Sequence, residues 1–380
     1  MDTLKIAKPA ELLYQIKNIP DSSRKKECRI KASNDAEAVQ CFLDEYRHKL
    51  TTFRSYKKEA ERFLVWCIRE QNTSLNELNR EAIDCYIQFL KNPEPRSIWC
   101  GPKKPKNVDG KKEWFPFAGP LSPTGIKTAL TILNSMMSYL CDARYIDFNP
   151  FSLIRRKGRF DDEFISRKMK IEERILNREE WQEFLVTVEE EPENTSENLY
   201  KKQRLKFLIA ILFFLGLRID EVSKSTWNNF VKLQDKWWFL IKGKGDRIGK
   251  IPVNSSMLTA MMTFRHFQNI PPLPTSDDDR PILVSIHKKK ALSVRQLSNI
   301  IKDIAQKTAI KFVSQPKIQN KLAKMSPHWL RHLSASKQDL AGISFTNIKN
   351  NLRHQNEQTT RQYVHAFDDD RHDQMEKLSF

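Results

Sequence analysis

The side chains of this chain that could act on a phosphate group are arginine, lysine, histidine and tyrosine in its second half. Ser326-Pro327 predicts a helix start, with Ser as the N-cap and Pro in the first turn. His328 and Arg331, three residues apart, then share one face of that helix. Because a helix N-terminus presents N–H groups and a positive dipole end, this pair suits an anion. The pair is either a phosphate site or an ordinary surface helix cap.

A second candidate is Arg218, which follows an eleven-residue apolar run at 207–217. An arginine so close to a hydrophobic core needs a partner or a ligand. Glu221, three residues later, is placed to brace it. The two interpretations are a structural Arg–Glu pair and a ligand-binding arginine that Glu221 supports.

Two further segments carry single chemical side chains. Three of the ten glycines fall within 243–249, where they predict a β-hairpin turn with Lys244 at its tip. Near the end of the chain, His354 is followed nine residues later by Tyr363. Considered singly, Lys244 is an exposed surface lysine and Tyr363 is a packing residue.

In this order and spacing, the segments resemble the tyrosine recombinases, the phage-integrase and Xer family. The catalytic domain of that family carries Arg in a GLR-x-x-E segment, Lys in a hairpin, an H-x-x-R-H segment, a further His or Trp, and finally Tyr. The corresponding residues here are Gly216-Leu217-Arg218 with Glu221, Gly243-Lys244-Gly245, His328 with Arg331 and His332, His354, and Tyr363. The resemblance covers residues 174–366, and residues 35–150 more loosely resemble the family's helical core-binding domain.

The chain departs from the family pattern in two places. Arg353 stands directly before His354, where the family usually has glycine. Lys337-Gln338-Asp339 interrupt a helix that usually continues apolar. Neither change replaces a catalytic group, so we expect both to affect local packing and substrate contacts and to leave the catalytic set intact.

The resemblance implies strand cleavage by covalent catalysis. Tyr363 is expected to attack a scissile DNA phosphate, which gives a 3′-phosphotyrosine and a free 5′-hydroxyl. Arg218 and Arg331 are expected to clamp the non-bridging oxygens, because guanidinium groups match phosphate geometry and stay charged. The covalent bond retains the phosphodiester energy, so rejoining is expected to need neither ATP nor a metal ion.

The remaining roles implied by the resemblance concern protons and positioning. Lys244 is expected to protonate the leaving 5′-oxygen as general acid, and His328 to assist removal of the tyrosine proton. His354 is expected to hydrogen-bond the phosphate or to position Arg331 and Tyr363. Glu221 is expected to hold a neighbouring side chain in place.

The charge of the chain agrees with a nucleic-acid substrate. Its 380 residues carry a formal net charge of +18, and both halves of the chain are basic. Such a charge favours a polyanionic partner over a merely soluble basic protein. The candidate DNA-contacting side chains lie off an apolar helical stripe, in a basic linker, and beside the predicted hairpin: Arg54, Lys57, Lys58, Arg155, Arg156 and Arg247.

Several other classes of protein lack support in the sequence. HExxH, Walker A, GxGxxG and serine-protease arrangements are absent, and the six cysteines include no CxxC pair. We therefore expect no metal site and no cofactor. The longest apolar run is too short to cross a bilayer, which takes about 20 residues, so no membrane partner is expected.

Hydrophobic patterning predicts a mainly α, two-domain protein with a small three-stranded antiparallel sheet. Helices are expected from the stripe 53–67, after Ser122, after Asn177 with Glu180 in a capping box, at 205–217 and at 293–309, and strands at 230–232, 237–241 and 248–253. The expected organisation is an extension at 1–34, a helical core-type DNA-binding domain at 35–154, a basic linker at 155–173, and the catalytic domain with a C-terminal tail at 174–380. The resemblance implies that the two domains form a C-shaped clamp around DNA.

A proline-rich connection at 92–120 has a basic run, Lys103-Lys104-Pro105-Lys106. Loops of this length are uncommon in compact domains. The connection is either a DNA contact or a family-specific insertion, and the sequence slightly favours the insertion.

The function that the resemblance implies is that of a site-specific recombinase or integrase of a mobile element or chromosome. The expected partners are a double-stranded DNA recombination site, a homo-tetramer assembled on two duplexes, and accessory DNA-bending or directionality proteins. The expected location is the cytoplasm of a bacterial-type cell, on the nucleoid when bound to DNA. A type IB topoisomerase and a non-catalytic DNA-binding relative are the alternatives.

Overall fold

The computed structural model describes residues 28–102, 107–108, 111–112, 115–154, 174–242, 248–287 and 290–353. The chain divides into two compact units between Lys157 and Gly158. Both units are mainly helical, and the second contains a three-stranded antiparallel sheet. The fold class expected from the sequence is confirmed, and the finer domain boundaries stay predictions.

The first unit contains five α-helices among its described residues. Their bounds are α1 Asp35–Asp44, α2 Leu50–Trp66, α3 Arg80–Lys91, α4 Arg96–Trp99 and α5 Pro123–Asp142, and a strand pair joins β1 Asn107–Val108 to β2 Lys111–Lys112. The predicted stripe lies on α2, whose basic residues Arg54, Lys57 and Lys58 are exposed. Ser122 caps α5 as predicted, since its hydroxyl accepts from the Gly125 N–H at 3.2 Å.

Aromatic side chains of three elements form the centre of this unit. The Phe63 ring lies 4.8 Å from that of Tyr86 and 5.5 Å from that of Phe151, in edge-to-face geometry. All three rings are almost fully buried. Such pairs add to the stability that area burial supplies, so they fix α2 against α3 and the turn at Pro150–Leu153.

A buried arginine ties the proline-rich connection to this core. The Arg62 guanidinium pairs with the Glu59 carboxylate at 2.8 Å, and both side chains are 5% exposed. Its Nε and Nη2 donate to the Pro116 carbonyl at 3.0 and 2.9 Å, and the guanidinium lies 4.2 Å from the centre of the Phe117 ring. Trp99 and Phe117 are themselves buried. The described ends of the connection are therefore part of the core, and residues 103–106 lie outside the described residues.

The second unit contains eight α-helices among its described residues. Their bounds are α6 Arg178–Glu189, α7 Ser196–Phe214, α8 Ile219–Lys224, α9 Ser255–Phe267, α10 Val294–Lys311, α11 Pro316–Ala323, α12 Pro327–Leu340 and α13 Phe345–Leu352. The capping box that begins α6 is confirmed, with Asn177 and Glu180 exchanging hydrogen bonds of 2.8 Å. The helix expected at 205–217 begins earlier and ends three residues sooner, at Phe214, because Gly216 takes a left-handed φ of 55°.

The three predicted strands are confirmed as β3 Phe230–Leu233, β4 Lys236–Lys242 and β5 Ile248–Pro252. They form an antiparallel sheet in chain order, and Phe239 pairs with Phe230 on one side and Ile251 on the other. These three side chains are buried, so one face of the sheet packs on the core. The turn with Lys244 and Arg247 lies outside the described residues, as do Arg155 and Arg156 of the predicted linker.

The described residues contain neither a membrane-spanning helix nor a cluster of metal ligands. None of their helices is long and apolar enough to cross a membrane. No three of their histidine, cysteine, aspartate and glutamate side chains group together in a way that could hold a metal ion.

We predict that Arg62→Ala lowers the free energy of unfolding by about 3–5 kcal/mol, since it breaks a buried ion pair and leaves the Glu59 carboxylate with only the exposed Lys58 ammonium. The measurement is urea unfolding, and Arg54→Ala on the exposed face of the same helix is the control. A loss below about 1 kcal/mol for Arg62→Ala contradicts the role assigned to this side chain.

Candidate active site

A glycine turn brings the segment of Arg218 close to two other helices. Gly216 follows α7 with a φ of 55°, a conformation that favours glycine. A Cβ at this position meets the Leu352 side chain at 2.5 Å and the Ser334 hydroxyl at 3.3 Å. The close approach of this backbone to α12 and α13 therefore requires glycine.

Arg218 occupies the N-cap position of α8, and Glu221 anchors it twice. The Arg218 N–H donates to Glu221 Oε2 at 2.6 Å, and its Nη1 donates to Oε1 at 3.1 Å. The Arg218 side chain remains 46% exposed, whereas that of Glu221 is 14% exposed. Glu221 therefore contacts Arg218 at the spacing that the sequence indicated, and Arg218 begins the helix that follows the apolar one. Its guanidinium is held at the surface, where a ligand can reach it.

Arg331 is buried and joins the ends of two segments. It lies one turn after His328 in α12, and it is only 2% exposed. Its Nη1 donates to the Gly216 carbonyl and its Nη2 donates to the Leu352 carbonyl. Arg331 therefore links Gly216, two residues before Arg218, to Leu352, two residues before His354.

The surroundings of His328 are strongly positive. His328 is exposed to solvent on one side. The protein packed around the ring nevertheless reduces its hydration and lowers its pKa, and the Arg331, Arg218 and Arg174 guanidinium groups lower it further, to about 4. On the inner side, the His328 ring lies 4.1 Å from the His332 ring in edge-to-face geometry. His328 is consequently neutral at pH 7 and able to accept a proton.

The carboxylate of Glu221 stays ionised in the same surroundings. Burial raises its pKa, but the Arg353 guanidinium, the Arg218 N–H and the Arg218 and Arg331 guanidinium groups reverse this effect, and the net pKa is lowered. Glu221 therefore provides a permanent negative charge among three arginines.

A basic surface cavity adjoins His328 at the N-terminus of α12. Its volume is about 820 Å³. The lining residues are Arg174, Lys317, Ile318, Asn320, Lys321, Lys324, Ser326, His328 and Trp329. Lys321 pairs with the buried Glu180 at 2.6 Å, whereas Arg174, Lys317 and Lys324 are exposed. Several positive charges beside a helix N-terminus make the cavity suitable for a phosphate backbone.

The structure thus brings together four of the seven residues expected at the active site, namely Arg218, Glu221, His328 and Arg331. Lys244, His354 and Tyr363 lie outside the described residues. The two residues directly before His354 do reach the site, because the Leu352 carbonyl accepts from Arg331 and Arg353 donates to Glu221.

Two groups of residues at this site were missed by the sequence analysis. Arg353 forms an ion pair of 2.7 Å with Glu221, the carboxylate that also holds Arg218. Its replacement of the usual glycine therefore affects the site as well as local packing. The cavity residues Arg174, Lys317 and Lys324 carried no motif, although Arg174 directly follows the predicted basic linker at 155–173. The other departure is confirmed as local packing, since Gln338 accepts from Asn351 at 2.9 Å and joins α12 to α13.

Comparison with known proteins gives concordant matches. The sequence model of the phage integrase family matches residues 175–370. The tyrosine recombinase XerD of Rhizobium meliloti is 25% identical over 201 residues, which cover 53% of this chain and 59% of that protein, less than two thirds of its length. A tyrosine recombinase of Thermosipho africanus is 22% identical over 87% of this chain and 94% of its own length.

A solved structure has a similar fold across both units. It is the XerH site-specific recombinase bound to a palindromic difH substrate in a post-cleavage complex. The comparison covers 97% of this chain and 94% of that one, with a TM-score of 0.58 and 18% sequence identity. At this identity the similarity establishes the fold.

We predict that the His328 imidazole of the folded protein titrates near pH 4, whereas in urea it returns to an ordinary midpoint near 6.5. Because the folded pKa is the lower one, protonation of this residue destabilises the fold as the pH falls from about 6.5 to 4. NMR titration of ¹³C-labelled histidine measures the midpoint, with His328→Gln assigning the signal. Arg174→Gln is expected to raise the midpoint, and a folded-state value of 6 or above contradicts the prediction.

Proposed function

Because the chain belongs to the phage integrase family, we propose that it is a site-specific DNA recombinase that cuts and rejoins DNA through a 3′-phosphotyrosyl intermediate. The observation that carries this proposal is the convergence of Arg218, His328 and Arg331 beside a basic cavity. Two guanidinium groups and a neutral imidazole are the groups that transfer of a DNA phosphate to a hydroxyl requires.

The proposed reaction begins at Tyr363. Its hydroxyl oxygen forms a bond to the scissile phosphorus as the bond from phosphorus to the 5′-oxygen breaks. His328, neutral at pH 7, accepts the tyrosine proton, and Lys244 donates a proton to the leaving 5′-oxygen. The reverse steps rejoin the strand, so the proposed chemistry consumes neither ATP nor a metal ion.

The proposed role of the arginines is electrostatic. Arg218 is half exposed and already oriented by Glu221, so it contacts a non-bridging oxygen without reorganisation. Arg331 lies deeper, where its positive charge acts in a medium of low dielectric constant and favours the charge that builds on the phosphate. His354 completes the set by binding the phosphate or by orienting Arg331 and Tyr363.

The proposed partners follow from this chemistry. The substrate is a double-stranded recombination site, which the basic cavity and the exposed Arg54, Lys57 and Lys58 help to hold. A homo-tetramer on two duplexes and accessory DNA-bending or directionality proteins belong to the same proposal, as does a cytoplasmic, nucleoid-associated location in a bacterial-type cell. The proposal includes no membrane contact.

The alternatives find less support. A type IB topoisomerase uses similar groups, but the family match and the relatives named above are recombinases and integrases. A non-catalytic relative has no need of a half-exposed Arg218 that Glu221 already orients.

We predict that the protein forms a covalent adduct with a suicide duplex that carries its cognate site, and that Tyr363→Phe forms none. The site is first identified by sequencing the DNA fragments that the protein retains. Arg218→Ala is expected to slow adduct formation about 10²–10³-fold, since it removes one preorganised donor to the phosphate. The measurement is adduct formation on a denaturing gel.

The matched control is Lys224→Ala in the same helix, whose exposed ammonium pairs with Asp220. It is expected to keep the wild-type rate. An adduct formed by Tyr363→Phe contradicts the assigned nucleophile. Relaxation of plasmids that lack the site, without strand exchange between two sites, favours the topoisomerase.

A further inference from the structure

The residue directly before His354 is an arginine in an unusual backbone conformation. Arg353 follows α13 with a φ of 54°, in the left-handed region that L side chains adopt at a cost and glycine adopts freely. Its side chain is 12% exposed. A long charged side chain at a buried position that suits glycine requires compensating contacts.

The compensating contact is the carboxylate that braces Arg218. Arg353 Nη2 donates to Glu221 Oε2 at 2.7 Å, and this same oxygen accepts the Arg218 N–H at 2.6 Å. The other oxygen, Oε1, accepts from Arg218 Nη1 at 3.1 Å. Glu221 therefore bridges the two arginines, and Arg353 restricts the rotation of the carboxylate that orients Arg218.

The stem of Arg353 also contacts the strand that follows the Lys244 turn. A Cβ added at Gly249 in β5 would lie 2.5 Å from Arg353 Cδ and 3.2 Å from its Cγ. The absence of a side chain at Gly249 thus makes room for Arg353. The side chain spans the end of α13, strand β5 and the N-terminus of α8. Along the chain, these elements lie near His354, Lys244 and Arg218, respectively, which are proposed catalytic residues.

We propose that Arg353 is a positioning residue that acts through Glu221 to hold the Arg218 guanidinium in the orientation that meets the scissile phosphate. This inference rests on the proposed function. Arg353 does not bind the phosphate itself, because its guanidinium is nearly buried, with Nη2 on Glu221 and Nη1 on the Asn351 carbonyl at 2.9 Å.

A purely structural role makes a different prediction from a positioning role. Glycine suits the left-handed conformation and Glu221 keeps Arg218 as a partner, so Arg353→Gly is expected to stay folded with only part of the stability loss of a fully unpaired carboxylate. If Arg353 positions Arg218, the same variant still loses catalytic rate. Stability and rate therefore separate the two roles.

The experiment measures single-turnover cleavage of the suicide duplex, together with the dissociation constant for DNA. We expect Arg353→Gly to cleave about 10–100-fold more slowly, as for other groups that orient a catalytic side chain, with DNA affinity within threefold of wild type. Arg353→Lys keeps the positive charge and is expected to recover part of the rate. The matched control is Arg144→Gly, the same change at an exposed left-handed residue of the other unit, which is expected to cleave at the wild-type rate.

A double-mutant cycle tests whether the effect passes through Arg218. The variant with both Arg353→Gly and Arg218→Ala is expected to cleave no more slowly than Arg218→Ala alone, because Arg353 has nothing left to position. Multiplicative losses overturn the proposal, and so does a rate for Arg353→Gly within twofold of wild type. If the wild-type protein forms no Tyr363-dependent adduct, the proposed function fails and the failure is recognisable as such.

The contact with Gly249 supplies an independent test. Gly249→Ala places a methyl group against the Arg353 stem and is expected to slow cleavage in the wild-type background. In the Arg353→Gly background the same change is expected to slow cleavage much less, because only the Ile241 methyl group, 3.2 Å from the new Cβ, remains close. A loss of equal size in both backgrounds contradicts the assigned contact.

Discussion

The site depends on one buried guanidinium. Arg331 donates to the carbonyls of Gly216 and Leu352, which lie 115 and 21 residues away in the chain. Each carbonyl belongs to the residue two positions before a proposed catalytic residue, Gly216 before Arg218 and Leu352 before His354. A buried charge is costly unless it is fully hydrogen-bonded, so these contacts fix both segments and also explain how Arg331 tolerates its burial.

The positive charges of Arg331 and the neighbouring arginines influence the protonation states of His328 and Glu221. Arg331, Arg218 and Arg174 help to keep His328 neutral, and Arg353, Arg218 and Arg331 keep Glu221 ionised. One carboxylate among several arginines leaves an excess of positive charge. An approaching phosphate offsets that excess, so the site favours an anionic substrate before any bond changes.

Features that depend on neighbouring residues were predictable from the sequence. The caps at Ser122 and Asn177, the three strands and the Arg218–Glu221 pair all join residues a few positions apart. The chain order of the proposed catalytic residues indicated the family, because that order can be read from the sequence without knowing any contacts.

Features that depend on tertiary packing were not predictable. Arg353 and Glu221 are 132 residues apart, and no local pattern connects them. The sequence therefore indicated only that Arg353 replaces the family's usual glycine, whereas the structure shows that Arg353 pairs with Glu221. The end of α7 was misplaced for a related reason, since the left-handed turn at Gly216 is imposed by the close approach of Leu352.

We propose that this site transfers a DNA phosphate to one particular tyrosine. Mass spectrometry of the adduct trapped on the suicide duplex, after digestion with nuclease and trypsin, tests this directly. A nucleotide is expected on Tyr363, within the tryptic peptide of residues 362–371. A nucleotide on any other side chain, or an unmodified peptide from protein that has cleaved its DNA, contradicts the proposal.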